Sequence, residues 1–140
     1  MKTIPLRRQA GVALLEVMLA VLLLGIGLLG TIGLQARAYS ALSDASMRAE
    51  ATMATEKLLG VMNADLPNVA AGSYVFDGVA APSTALAPWV AETQTFIPGA
   101  KITVAVVGQN RRYQVDIAIR WKRKNGADEN VHRVTSYIGF

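Results

Sequence analysis

The 140-residue chain has no cysteine. That excludes disulfide stapling, thiolate zinc sites, iron–sulfur clusters and cysteine nucleophiles. It has a single histidine, His132, too few for a histidine-rich metal site and a poor basis for a histidine-based triad. Charged residues are scarce at 17%, and aromatic residues scarcer at 6%. Proline is absent between Pro5 and Pro67, so nothing in that interval forces a helix to break. No acidic residue precedes Glu16. Nor is there a phosphate-binding glycine loop, a Ser–His–Asp arrangement or a metal-spaced acidic cluster. Nothing in the sequence reads as an enzyme or calls for a cofactor or a metal.

Apolar residues fill the space left by these absences. They make up 52% of the chain, and the mean hydropathy is +0.32. Such content excludes disorder as the dominant state and points to a membrane segment. Only one stretch is long enough to cross a bilayer, which excludes a polytopic transporter. Residues 12–34, VALLEVMLAVLLLGIGLLGTIGL, hold one charge, Glu16, and one hydroxyl, Thr31. As a helix they extend about 35 Å, more than the ~30 Å of a hydrocarbon core. The net charge of +4 is concentrated ahead of this stretch, at Lys2, Arg7 and Arg8. A basic flank before the apolar segment predicts the N-terminus inside and the C-terminus outside. It also weakens the nucleic-acid reading that the pI of 9.7 invites.

An ordinary secretory signal is the plain alternative, with small residues at Ala36-Arg37-Ala38 as its cleavage site. The apolar run is longer than the ~7–15 residues of a usual signal core, and Glu16 has no role in one. A carboxylate at mid-bilayer costs roughly 2.5–3.5 kcal/mol and ordinarily has a partner. One open reading places Glu16 at headgroup depth, near the positive end of the helix. Gly25, Gly27, Gly30 and Gly33 read either as tolerated membrane glycines or as a seam for close helix packing.

Downstream, Ala38, Leu42, Ala45, Ala49, Met53, Leu59, Met62 and Leu66 recur mostly at three- and four-residue steps. They predict that the helix continues over residues 35–66 and stops at Pro67. Residues 67–99, punctuated by proline and glycine, read as an irregular loop, with Ser73–Phe76 a possible short strand and Trp89 packed back on the domain. Residues 100–140 read as an antiparallel meander. Tyr113, Val115, Ile117, Ile119 and Trp121 alternate with Arg112, Gln114, Asp116, Arg120 and Lys122, the period of a half-buried strand. Asn125-Gly126 marks a turn before a last strand over Val131–Ile138. The expected fold is α+β, a long N-terminal helix packed on a C-terminal antiparallel sheet. Arg111, Arg112, Arg120, Lys122, Arg123 and Lys124 form a basic group that reads as a solvated face, or as a contact for an acidic neighbour or for DNA phosphates.

The stretch Gly11-Val12-Ala13-Leu14-Leu15-Glu16-Val17, behind a short basic leader, resembles the processing site of type IV prepilins. In that family a membrane peptidase cuts after the glycine and methylates the new amine, and a glutamate stands fifth in the mature chain. The resemblance implies cleavage between Gly11 and Val12, methylation of Val12, and Glu16 as the assembly residue. The family most often has phenylalanine where this chain has Val12. The run Gly25 to Gly30 followed by Gly33-Leu34-Gln35 is similar to the PilV-type minor pilins. The resemblance covers residues 1–40. It implies a leader at 1–11, a membrane and filament-core helix at 12–34, and a periplasmic head at 35–140. The implied function is a minor pilin that primes pilus assembly near the tip, first in the bacterial inner membrane and then in the pilus. The implied partners are the prepilin peptidase, other minor pilins and the major pilin. A pseudopilin of type II secretion is the nearest alternative, and a DNA-uptake pilin a more remote one.

Overall fold

A computed structural model of the chain describes residues 10–109, 112–122 and 128–139. The leader residues 1–9, the basic residues Arg111, Arg123 and Lys124, and the Asn125-Gly126 turn lie outside them. Contacts divide the chain into two compact units, residues 1–42 and residues 43–140.

The first unit is helix throughout its described part. It belongs to α1, which runs from Ala10 to Ala64, 55 residues or about 82 Å. The run of good helix formers without proline sustains this length. Its side chains are exposed all round, with Leu14 at 70%, Leu23 at 67% and Leu29 at 71%. A helix apolar on every face is stable only inside protein or lipid.

The second unit folds around a sheet. Strands β1 (Lys101–Gln109), β2 (Arg112–Lys122) and β3 (Glu129–Gly139) form an antiparallel meander in the order β1-β2-β3. Register places Ile102 and His132 on either side of Ile119, and Val104 and Val134 on either side of Ile117. Period-two alternation in β2 turns Val115, Ile117, Ile119 and Trp121 to one face, where all are buried. The C-terminal part of α1 supplies Ala51, Leu58 and Met62 to the same core. The α+β arrangement, a long helix packed on a three-stranded antiparallel sheet, is therefore present.

The buried stripe of α1 differs in phase from the sequence reading. Met47, Ala51, Ala54, Thr55, Leu58 and Met62 face the core, whereas Ala45 and Ala49 are exposed and Met53 is 54% exposed. Alanine is a weak phase marker. Thr55 was invisible to an apolar count because its hydroxyl is satisfied by donating to the Ala51 carbonyl.

Two helices interrupt the segment read as a loop over 67–99. Helix α2 (Leu66–Ala70) follows α1 almost at once, and helix α3 spans Ala87–Phe96. Each carries its proline, Pro67 or Pro88, in the first turn. Proline is tolerated there, since the N–H it lacks is one the helix leaves unpaired. Both prolines therefore open helices. Residues Ser73–Phe76 form no strand beyond one bridge, Phe76 to Val104. Gly78 follows with φ +83°, and a Cβ there would lie 2.7 Å from the Ile102 carbonyl oxygen. Only glycine fits that approach.

Candidate functional site: the apolar helix and the surfaces of the head

Gly11, Val12 and Glu16 all lie in the first turns of α1. Val12 and Glu16 are four residues apart, so they share a helix face. Val12 is 67% exposed, and Glu16 is exposed with no ion pair or hydrogen bond among the described residues. Cleavage after Gly11 would leave an ammonium group at Val12 on the face that carries the carboxylate. Such an arrangement can neutralise an amine brought in by a second helix.

Gly25, Gly27, Gly30 and Gly33 also fall within α1, and a Cβ at any of them meets nothing within 4 Å. None is required by packing inside this chain. Thr31 ties its hydroxyl to the Leu28 carbonyl at 2.8 Å, which removes its polarity from the surrounding medium. One helix in the described residues is long and apolar enough to cross a membrane, and it is this one.

In the head, Arg120 and Lys122 lie two residues apart on one face of β2, whereas Arg112 lies at the far end of the strand. Arg112 pairs with Gly139 at one end of β2, and Lys122 pairs with Glu129 at the other. At about 3.4 Å per residue they stand some 34 Å apart. Arg120 instead lies directly opposite Lys101, and Arg133 lies opposite the neighbouring Ala118. Glu129 approaches Lys101 at 3.7 Å. Among the described residues Lys101, Arg120, Lys122 and Arg133 therefore share one end of the outer sheet face with Glu129, and Arg112 stands apart from them. Among the described residues no three His, Cys, Asp or Glu side chains stand close enough to hold a metal.

Three features escaped the sequence reading. The first is a groove of about 190 Å³ between α1 and α3, lined by Met53, Ala54, Lys57, Trp89, Glu92 and Phe96. Trp89 is packed into the head as expected, and its indole N–H donates to the Ala54 carbonyl at 2.8 Å. Lys57 and Glu92 pair across the groove. Reading Pro88 as a helix opener would have revealed α3. The second is a carboxylate hub between α1 and α2. Asp65 accepts hydrogen bonds from the Asn68 amide at 2.8 Å and the Tyr74 hydroxyl at 2.9 Å. These bonds, Asn68 first and Tyr74 second, hold the Asp65 carboxyl below its ordinary pKa. Burial, then the bond to Asp65, pushes the Tyr74 phenol up.

The third is strand β3. Its inward residues Asn130, His132, Val134 and Ser136 are only half-buried, unlike those of β2. Arg48 reaches over to donate to Asn130 Oδ1 at 2.8 Å while also pairing with Asp44. No family model, no curated protein and no solved structure matches this chain.

Proposed function

We propose that the chain is a minor subunit of a type IV pilus, of PilV-like type, and a substrate of the prepilin peptidase. The observation that carries this reading is one helix. Its start holds Gly11, Val12 and Glu16 in prepilin spacing, its next turns are apolar on every face, and its far end forms the spine of a small sheet domain. A lone carboxylate beside an otherwise lipid-like surface is costly until a cation meets it. The amine created at Val12 of a neighbouring subunit supplies that cation. Pairing then favours one axial position over all others, because each alternative leaves a buried charge alone.

In this reading the chain first sits in the inner membrane with the head in the periplasm. It then moves into the pilus with other minor pilins and the major pilin, and serves assembly near the tip. The four glycines allow close backbone approach between helices in the filament core. The head contributes contacts and no chemistry.

Mass spectrometry of the mature N-terminus in membrane and sheared-pilus fractions tests this directly. The expected product begins at Val12 and carries one methyl group. A product beginning at Tyr39, or an intact Met1, overturns the proposal. With the expected terminus in hand, deletion of the gene separates the two filament systems. Loss of surface pili supports the pilus, and loss of protein secretion supports the pseudopilin.

A further inference from the structure

The open edge of the sheet can be read atom by atom. Phe76 and Val104 exchange both backbone hydrogen bonds, at 2.9 and 2.8 Å. Val104 therefore turns its N–H and C=O away from β2. Backbone groups alternate sides along an antiparallel ladder. Following the register, Asp116 and Ala118 face β1, and Val115, Ile117 and Ile119 face β3. Their partners Ser136, Val134 and His132 face back. The N–H and C=O groups of Val131, Arg133, Thr135 and Tyr137 consequently point to the free edge of β3.

This edge lacks the devices that usually block strand addition. It is 11 residues long, continuous in register, and free of proline, lysine and bulge. Val131 and Tyr137 are 48% and 57% exposed on it, and Arg133 makes no ion pair among the described residues.

The opposite edge of the same sheet carries the counterpart. Because Phe76 faces β1, the Val75 carbonyl faces outward, while the Val75 N–H donates to the Gly72 carbonyl at 3.1 Å. Val75 and Val79 are 52% and 89% exposed on either side of Asp77. Asp77 Oδ1 accepts from the amides of Val79 and Ala80, which fixes the carboxylate at the edge. Asp77 likewise makes no ion pair among the described residues.

We infer that a second copy of this chain docks its Val75–Asp77 edge on β3, with Arg133 opposite Asp77 of the neighbour and Thr135 opposite Val75. The two edges are complementary because the sheet has an even number of antiparallel segments, and the Arg133–Asp77 charge pair selects this register. The Thr135 backbone faces the Val75 carbonyl of the neighbour. Val75, Asp77, Arg133 and Thr135 all lie on the face away from the core, while Phe76 and Val134 both lie on the core face. The strand directions also match: Phe76 is antiparallel to β1 and β3 is parallel to β1, so the junction is antiparallel. Phe76 of the neighbour then covers Val134, one of the half-buried inward residues.

The contact is heterologous, with different patches on the two copies, so each added copy leaves one free edge of each kind. A few backbone bonds and one ion pair make too small an interface to hold free proteins together. Confinement to a membrane or filament supplies the missing effective concentration. The inference goes beyond the pilin reading and does not depend on cleavage.

Absence of native cysteine makes the test clean. The full-length Val75→Cys/Thr135→Cys double variant is oxidised in membranes and separated by size. Facing residues of an antiparallel pair stand about 5.5 Å apart, within disulfide range. The expected result is a ladder of dimers, trimers and higher species, while each single variant yields no ladder. Val79→Cys/Thr135→Cys, shifted out of register, stays at the single-variant level. Adding Asp77→Asn, which keeps the turn and removes the charge, lowers the cross-linked fraction about two- to fivefold. Absence of a ladder, an equal ladder from the shifted pair, or indifference to Asp77→Asn overturns the inference. The mature N-terminus read from the same samples reports on the pilin proposal separately: a ladder on chains still starting at Met1, or Val12 termini without a ladder, tells the two apart.

Discussion

Leu14 and Leu58 lie on the same helix and have the same side chain, yet one is 70% exposed and the other 1%. In the first unit the stretch from Val12 to Leu34 is apolar on nearly all faces and exposed. The second has a single apolar stripe and buries it. Hydrophobic content alone does not distinguish them. What does is its distribution around the helix, together with the presence of an alternating strand pattern later in the chain. A stripe asks for a sheet, and an all-round apolar surface asks for lipid or for other helices.

The largest effect that should divide the two units is truncation of a leucine. Leu58→Ala removes a fully buried side chain from the centre of the head, at a cost of about 2–5 kcal/mol. Leu22→Ala, at a position 58% exposed, should leave the head's unfolding midpoint unchanged. Urea titration of both variants in detergent, followed by tryptophan fluorescence, makes the comparison. An equal loss from Leu22→Ala would show that the first unit supports the second, and the contrast would collapse.

Next in size is Glu16→Leu. Removing a carboxylate from near the start of the apolar stretch should ease membrane insertion, by less than the roughly 2.5–3.5 kcal/mol of a charge at mid-bilayer, and leave the head untouched. On the proposed pilin function, incorporation into pili should nevertheless be lost, because the amine proposed at Val12 of a neighbour would then have no partner. Quantifying the variant in membrane and sheared-pilus fractions separates the effects. Normal incorporation would reduce Glu16 to a headgroup-level residue.

Gly78→Ala sharpens the other side of the contrast. Positive φ costs a residue with a side chain roughly 1–2 kcal/mol, and here the new methyl also meets the Ile102 carbonyl. The head should lose at least that much in the same titration. Gly27→Ala, where a Cβ meets nothing, should lose none of the head's stability. If it impairs filament recovery instead, the helix glycines act between chains.

These contrasts also show what was legible beforehand. The apolar helix was readable from the length of its uninterrupted apolar run, and the meander from the period of two in β2. The phase of α1 in the head was not, since Ala45, Ala49, Ala51 and Ala54 look alike until a sheet chooses among them. Helix α3 was hidden by Pro88, which has the same letter whether it ends a helix or begins one. Arg112, Arg120 and Lys122 do share the outer face of β2, but Arg112 stands eight residues from Arg120 along it. Closeness along a strand is not closeness in space at 3.4 Å per residue. The placing of Arg133 on one sheet edge and Asp77 at the other depends on register, and no single segment encodes register.

The smallest effect concerns pH, and it belongs to the head alone. Asp65 is held below its ordinary pKa, chiefly by the Asn68 amide and then by the Tyr74 hydroxyl. Asp77 is held low by the amides of Val79 and Ala80. A carboxylate depressed on folding binds fewer protons in the native state than in the unfolded one. Its stabilisation is therefore complete above the unfolded value of about 3.9 and is lost as pH falls through the folded value. Tyr74 works in the opposite direction, because its phenol is raised by burial first and by Asp65 second. Its share is complete below about pH 10 and is lost as pH rises beyond that. Urea midpoints should therefore decline on both sides of a plateau. Asp65→Asn should flatten part of the acid limb, Asp77→Asn should flatten another part, and Tyr74→Phe should flatten the alkaline limb. An acid limb unchanged in the Asp65→Asn/Asp77→Asn double variant would mean that other carboxylates link the head to pH. Because hydrogen bonds rather than ion pairs hold both carboxyl groups low, added salt should leave these shares of the acid limb in place.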